Sequence, residues 1–292
     1  MMLPDISKIT IDNFQLPELK EKNIELEILR LDKIHPFISG NKWFKLKYHL
    51  ENFKTSDYKG VMTFGGAWSN HILAVACACF LEKIKCIGII RGEQPAEFSS
   101  TLKQSLNFGM EMQFISREFY IEKNAEEFLQ KIKTEYPGYY IIPEGGAGIE
   151  GEKGASEILD LVEKESYSHF ICAIGTSTMF NGISKIIDEK QQVIGIPVLK
   201  GLKDLNHSVK NNFFYDYHFG GYAKNTNELF RFMNDFYLQT NIPTDFVYTG
   251  KLCFAVSDLI NKKYFPSGSK LLIIHSGGLQ GNASLPKGTL IF

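Results

Sequence analysis

The order of apolar and polar positions predicts a chain in which short strands alternate with helices. Ile24, Leu26 and Ile28 alternate with Glu25 and Glu27, the period-two pattern of a half-buried strand. Pro36 and Gly40 end that run, and Trp43, Leu46 and Leu50 then recur at helical spacing. Further apolar runs at 60–64, 84–91, 111–115, 139–143, 170–174, 193–197 and 271–275 read as strands. Helix-like segments stand at 72–81, 99–108, 121–136, from about 152, and at 180–188, 227–239 and 250–262. Such alternation predicts an α/β chain with open, mostly parallel sheets flanked by helices. Neither a fixed-period repeat nor a low-complexity linker divides the chain.

Glycine-rich turns follow several of these strands, at Gly65-Gly66, Gly145-Gly146, Gly175 and Gly277-Gly278. In open α/β sheets, ligands collect at the carboxyl ends of strands, where these turns lie. Composition narrows the ligand. Of 292 residues, 44% are hydrophobic and 22% charged, with a net charge of −1, so no nucleic-acid or membrane-surface footprint is present. A small-molecule ligand is expected instead. No run approaches the roughly 18 apolar residues of a membrane span, and Met-Met-Leu-Pro-Asp-Ile lacks a signal-peptide pattern. The cysteines (Cys77, Cys79, Cys86, Cys172 and Cys253) sit in apolar runs, which predicts reduced, buried thiols and a cytoplasmic location. No second pair accompanies Cys77-Ala-Cys79, so no metal site is expected.

Five stretches could carry chemistry. In Ser39-Gly40-Asn41-Lys42, Lys42 begins a helix, with Lys45 on the same face one turn later. The stretch reads either as an ordinary amphipathic helix start or as a reactive amine, whose pKa a positive helix end would lower. Gly65-Gly66-Ala67-Trp68-Ser69-Asn70-His71 leads into a helix that Ser69 or Asn70 would cap. Gly175-Thr176-Ser177-Thr178 with Gly182 follows a strand, and its small residues and hydroxyls suit a phosphate. It lacks the endings of a nucleotide P-loop or a dinucleotide fingerprint, so a smaller phosphate is favoured. His275-Ser276-Gly277-Gly278 offers a hydroxyl to a heteroaromatic nitrogen. Tyr248-Thr249-Gly250-Lys251 and Tyr222 add phenols near a helix start. Taken singly, each also reads as a plain turn or cap.

In this order and spacing, from 39 to 279, the stretches resemble the 1-aminocyclopropane-1-carboxylate (ACC) deaminase and D-cysteine desulfhydrase group. These are pyridoxal-phosphate enzymes of the tryptophan synthase β-like fold (fold type II). The resemblance implies pyridoxal 5′-phosphate bound between two domains, a larger discontinuous one (1–49 and 156–292) and a smaller inserted one (50–155). It implies that Lys42 carries the cofactor covalently and moves protons at Cα. Lys45, Gly175, Thr176, Ser177 and Thr178 would hold the phosphate. Ser69, Asn70 and His71 would meet the substrate carboxylate and the ring 3-oxygen, with Ser69 able to exchange a proton. Tyr222 and Tyr248 would flank a small amino-acid substrate, and a homodimer is implied.

Two positions depart from the ring-opening deaminases, which carry a glutamate after the tyrosine matching Tyr248 and a leucine in the last turn. Here they are Thr249 and Ser276, as in the D-cysteine desulfhydrase branch. A neutral hydroxyl beside the pyridine nitrogen stabilises its protonated form less than a carboxylate does. That suits β-elimination of a sulfur leaving group better than opening a strained ring. A D-cysteine desulfhydrase-like activity is the leading expectation, with ACC deamination as the alternative. A non-catalytic phosphate-ligand-binding protein of the same fold stands as the reading from another class.

Overall fold

The computed structural model describes residues 2–13, 17–202, 205, 208 and 210–292. In chain order the elements are β1 (Ile11–Asn13), α1 (Pro17–Glu21), β2 (Glu25–Arg30), α2 (Asn41–Lys54), β3 (Gly60–Gly66), α3 (Asn70–Glu82) and β4 (Lys85–Arg91). Next come α4 (Ser100–Asn107), β5 (Glu111–Ile115), α5 (Arg117–Ile121), α6 (Glu126–Glu135), β6 (Tyr139–Ile142), α7 (Ile149–Ser156), β7 (His169–Ile174) and α8 (Thr178–Ser184). The chain ends with β8 (Gln192–Pro197), β9 (Asn211–Phe213), α9 (Asn227–Thr240), α10 (Thr249–Asn261) and β10 (Lys270–His275).

The strands form two sheets. One has the order β1-β2-β10-β7-β8-β9, the other β5-β4-β3-β6. Every pairing is parallel except β1 with β2, an antiparallel edge. The continuous apolar runs are the central strands. All six residues of β7 are buried, as expected where helices cover both faces. The alternating strand β2 lies nearer the edge, and its Ile28 interleaves with Ile171, Ile194 and Ile273 from the neighbouring strands in one core. In the second sheet, α3 is apolar nearly all round (Ile72 to Cys79 are buried) and packs with Val61, Cys86 and Ile90. All five cysteines are buried and unbridged.

Three differences from the expected elements have local causes. The helix expected at 121–136 breaks into α5 and α6 around a 3₁₀ turn at Glu122–Asn124, with Ala125 extended. The apolar stripe is interrupted there, since Phe119 and Ile121 face outward while Tyr120 and Ile132 face the core. The edge strands β1 and β9 have three residues each, too few for a period to show. Among the described residues, no helix is long and apolar enough to cross a membrane.

Candidate active site

The carboxyl ends of β3, β7 and β10 open onto one cavity of about 840 Å³, within the usual range for small-molecule sites. Lys42, Lys45, Ser69, Asn70, His71, Gly175, Thr176, Ser177, Tyr222, Tyr248 and Ser276 all line it. Five stretches, drawn from between Lys42 and Ser276, therefore meet at one place.

Lys42 is the second residue of α2, and the entry to that helix depends on Gly40. Gly40 has φ +64°, and a Cβ there would lie 1.8 Å from the carbonyl oxygen of Ser276. Only glycine lets the two backbones touch. The contact is completed by Asn41 N–H donating to Ser276 O at 3.2 Å. The start of α2 and the turn after β10 are thus one backbone unit, with Lys42 and Ser276 both facing the cavity. Lys42 is half-buried and donates to Asn41 Oδ1 at 2.8 Å. Burial lowers its pKa from 10.5 to about 8, against the opposing pull of the Asp245 carboxylate. About a tenth of the amine is therefore neutral, and so nucleophilic, at pH 7.

Lys45 is more deeply buried, and its ammonium has one long contact, 3.4 Å to Thr176 Oγ1. Burial and then the charge of Lys42 push its pKa well below the ordinary value. Two close lysines with no carboxylate in an ion pair among the described residues form an under-partnered positive centre. An anion would relieve it. Thr176 Oγ1 lies 3.0 Å from Thr178 Oγ1, and Ser177 takes a left-handed φ of 60° at the start of α8. Gly175, Thr176 and Ser177 thereby bend toward Lys45. Thr178, expected from the sequence as a cofactor contact, stands behind the wall, where its hydroxyl orders Thr176.

On the opposite side, Ser69 caps α3 by accepting Ile72 N–H at 3.3 Å, which leaves its own hydroxyl proton free to donate. Asn70 Oδ1 is buried and has no hydrogen-bond partner. Buried orphans of this kind call for an absent ligand or water. His71 is turned into the protein, with Nε2 2.8 Å from Thr63 Oγ1, and Thr63 in turn donates to Ile142 O. Burial, Lys42 and Lys45 hold its pKa well below 6.5. His71 is therefore a neutral wall group and supplies no cation for a carboxylate.

Tyr222 and Tyr248 meet edge to face, with ring centroids 6.1 Å apart. Burial first, then the neighbouring phenol, raises the pKa of Tyr248 well above 10. Both stay protonated near neutral pH and act as donors. Thr249, expected beside the cofactor ring, does not line the cavity. Its hydroxyl donates to Asp245 Oδ1 and accepts Asp245 N–H, both at 2.7 Å, and it is fully buried. Asp245 was not anticipated. It accepts N–H groups of Val247, Tyr248 and Thr249, each at 2.9 Å, and so fixes the start of α10. An aspartate shortly before a helix start is a capping signal that the sequence did offer.

Ser276 is held from behind. His275 is fully buried, with Nε2 2.8 Å from Pro243 O and Nδ1 3.1 Å from Asp32 Oδ1. Asp32 also takes a two-pronged contact from Arg30, at 2.8 and 2.6 Å. Arg91, Arg117 and Glu144 line the rim, and no glycine or hydroxyl signature in the sequence pointed to them.

The model for pyridoxal-phosphate-dependent enzymes matches residues 13–277. The chain belongs to that family. Among curated relatives, it is 28% identical to a putative 1-aminocyclopropane-1-carboxylate deaminase of Pyrococcus abyssi, over 91% of this chain and 88% of the relative. It is 27% identical to a mitochondrial bifunctional D-cysteine desulfhydrase/1-aminocyclopropane-1-carboxylate deaminase of Arabidopsis thaliana, over 93% and 76% of the two chains. A solved ACC deaminase homologue superposes with TM-score 0.80 and 26% identity, covering 96% of this chain and 93% of that one. These likenesses agree with the resemblance carried by the motifs and with the fold class expected from the alternation of strands and helices.

The residues present fit the family's cofactor. The Lys45 ammonium and the Gly175–Ser177 bend form an anion cradle. Lys42 offers the amine, Asn70 an unsatisfied amide and Ser276 a hydroxyl on the same cavity. Lys251, whose pKa burial also lowers to about 8, is buried beneath the Tyr222 loop and does not line the cavity. Among these three lysines, Lys42 alone combines access to the cavity with freedom from the phosphate cradle.

Proposed function

We propose that the chain is a β-lyase acting on D-cysteine or a related β-substituted amino acid. With D-cysteine, one water is consumed and pyruvate, ammonia and hydrogen sulfide are released. The bound cofactor supplies an electron sink conjugated to the substrate Cα. Lys42 takes the Cα proton, which its lowered pKa permits near neutral pH. The Ser69 hydroxyl and the Asn70 amide are the groups that suit the substrate carboxylate and the ring 3-oxygen, and Lys45 with Thr176 suits the phosphate. Tyr248 stays a phenol because burial and Tyr222 raise its pKa. It therefore serves as a hydrogen-bond donor to the departing sulfur, not as an anionic nucleophile.

The observation that carries this reading is the pairing of Thr249 with Asp245. It leaves the Ser276 hydroxyl as the group suited to the ring nitrogen, with the Asp245 carboxylate engaged by three amides and the Thr249 hydroxyl. A weakly stabilised ring suits an early-leaving sulfur. The names of the relatives favour a second reading equally, ring opening of 1-aminocyclopropane-1-carboxylate to 2-oxobutyrate and ammonia. Both substrates offered to the cofactor-loaded protein separate the two. Sulfide and pyruvate from D-cysteine, with little 2-oxobutyrate from the cyclopropane, support the lyase. The reverse pattern overturns it in favour of the deaminase.

A further inference from the structure

The Tyr222 loop is unusual in its backbone. Phe219 and Ala223 have φ of 51° and 53°, and Gly220 and Gly221 have 91° and 121°. Left-handed φ at non-glycine residues costs free energy and persists only where neighbours hold it. The holding groups come from α10. Lys251 is fully buried and donates to the carbonyls of His218 and Gly221, both at 2.8 Å. Phe254, three residues on, packs edge to face on Phe219 at 4.9 Å. Lys251 also lies three residues after Tyr248, the residue that precedes α10, so the start of α10 carries both Tyr248 and the anchor of the loop that brings Tyr222 to it. Among the described residues Lys251 is in no ion pair. A buried ammonium whose only acceptors are two loop carbonyls is a costly group in a core position. A leucine or methionine would fill the space at lower cost. What the ammonium adds is a directional tie from α10 to two carbonyls of one loop.

We infer that Lys251 is a positioning residue, whose hydrogen bonds to the 218–221 loop set Tyr222 against Tyr248 at the substrate side of the cavity. This rests on the reading that Tyr222 borders the substrate. Lys251→Met keeps the volume and removes the donors. In the cofactor-loaded protein the variant should keep the cofactor absorbance and show faster amide hydrogen exchange confined to 218–224. With whichever of D-cysteine or the cyclopropane is turned over, KM should rise about tenfold or more, as for loss of hydrogen bonds from a charged donor, while kcat changes less. The effect should also vanish in a Tyr222→Ala background, because the tie then has nothing to position. Lys251→Gln, retaining one donor arm, should fall between.

Unchanged exchange at 218–224, or additive Lys251→Met and Tyr222→Ala effects, would overturn the inference. So would loss of cofactor in both Lys251 variants, which would make the residue a prop of the fold. Hydrogen exchange needs no substrate. If neither compound is turned over, the lyase reading fails while the role of Lys251 is still decided.

Discussion

Lys42 should capture pyridoxal phosphate over a pH range displaced far below that of an ordinary lysine. Only the neutral amine attacks an aldehyde, so the capture rate tracks the deprotonated fraction. Burial lowers the Lys42 pKa from 10.5 to about 8. At pH 7 that leaves about one amine in ten neutral, against roughly one in 3,000 for an unshifted lysine, a gain of about 300-fold. Apoprotein mixed with pyridoxal phosphate in a stopped-flow spectrometer should give a rate that climbs tenfold per pH unit and levels off near pH 8. The Asp245 carboxylate opposes the shift. Asp245→Asn should therefore move the plateau to lower pH, in spite of the local cost to the start of α10. A rate still climbing at pH 10 would refute the argument that burial activates this amine. A plateau that Asp245→Asn moved upward would refute the assignment of Asp245 as the opposing charge.

Three further outcomes follow from the geometry. Gly40→Ala must place a Cβ 1.8 Å from Ser276 O at φ +64°. It should cost at least about 2 kcal/mol in denaturant unfolding and weaken cofactor binding, and a loss below about 0.5 kcal/mol would contradict the backbone contact. Lys45→Met should weaken cofactor affinity by about 10- to 100-fold, the range for a charge-assisted hydrogen bond, and unchanged affinity in a titration would remove Lys45 from the phosphate site. Burial acts to raise the pKa of Asp32, but His275 and the Arg30 guanidinium outweigh it and hold it below the ordinary carboxylate value. Its contribution to stability is then present above the unfolded pKa of about 4 and lost as pH falls through the folded value. Asp32→Asn should cost about 3 kcal/mol at pH 7, the lower end for breaking a buried ion pair, and less below pH 4. A cost independent of pH would contradict this.

The parts of the site that could be read from sequence are those whose chemistry is local. Glycines and hydroxyls directly after an apolar run mark a strand end facing a ligand, which is why 66–71, 175–177 and 276–278 were legible and prove to share one cavity. Thr249 and Thr178, expected as cofactor contacts, do not line that cavity, for the same reason. A hydroxyl at a helix start has two possible partners, and sequence does not say whether ligand or neighbour wins. Asp245 captures Thr249 from four positions away, and Thr176 captures Thr178 from two. His71 carried the right spacing but is turned to Thr63 by the packing of α3 on β3. Lys251 and the His275–Asp32 contact were illegible because their partners lie far off in sequence, on elements that only the fold brings together. The fold was read more fully than the site because strand–helix alternation is periodic, and only the short edge strands β1 and β9 lacked a period.

The central claim, that Lys42 is the residue joined to the cofactor, is tested most directly by borohydride reduction of the cofactor-loaded protein, followed by peptide mass spectrometry. The cofactor mass should be found on Lys42 and on neither Lys45 nor Lys251. Attachment at either of those lysines, or no attachment to protein that has taken up the cofactor, would contradict the account.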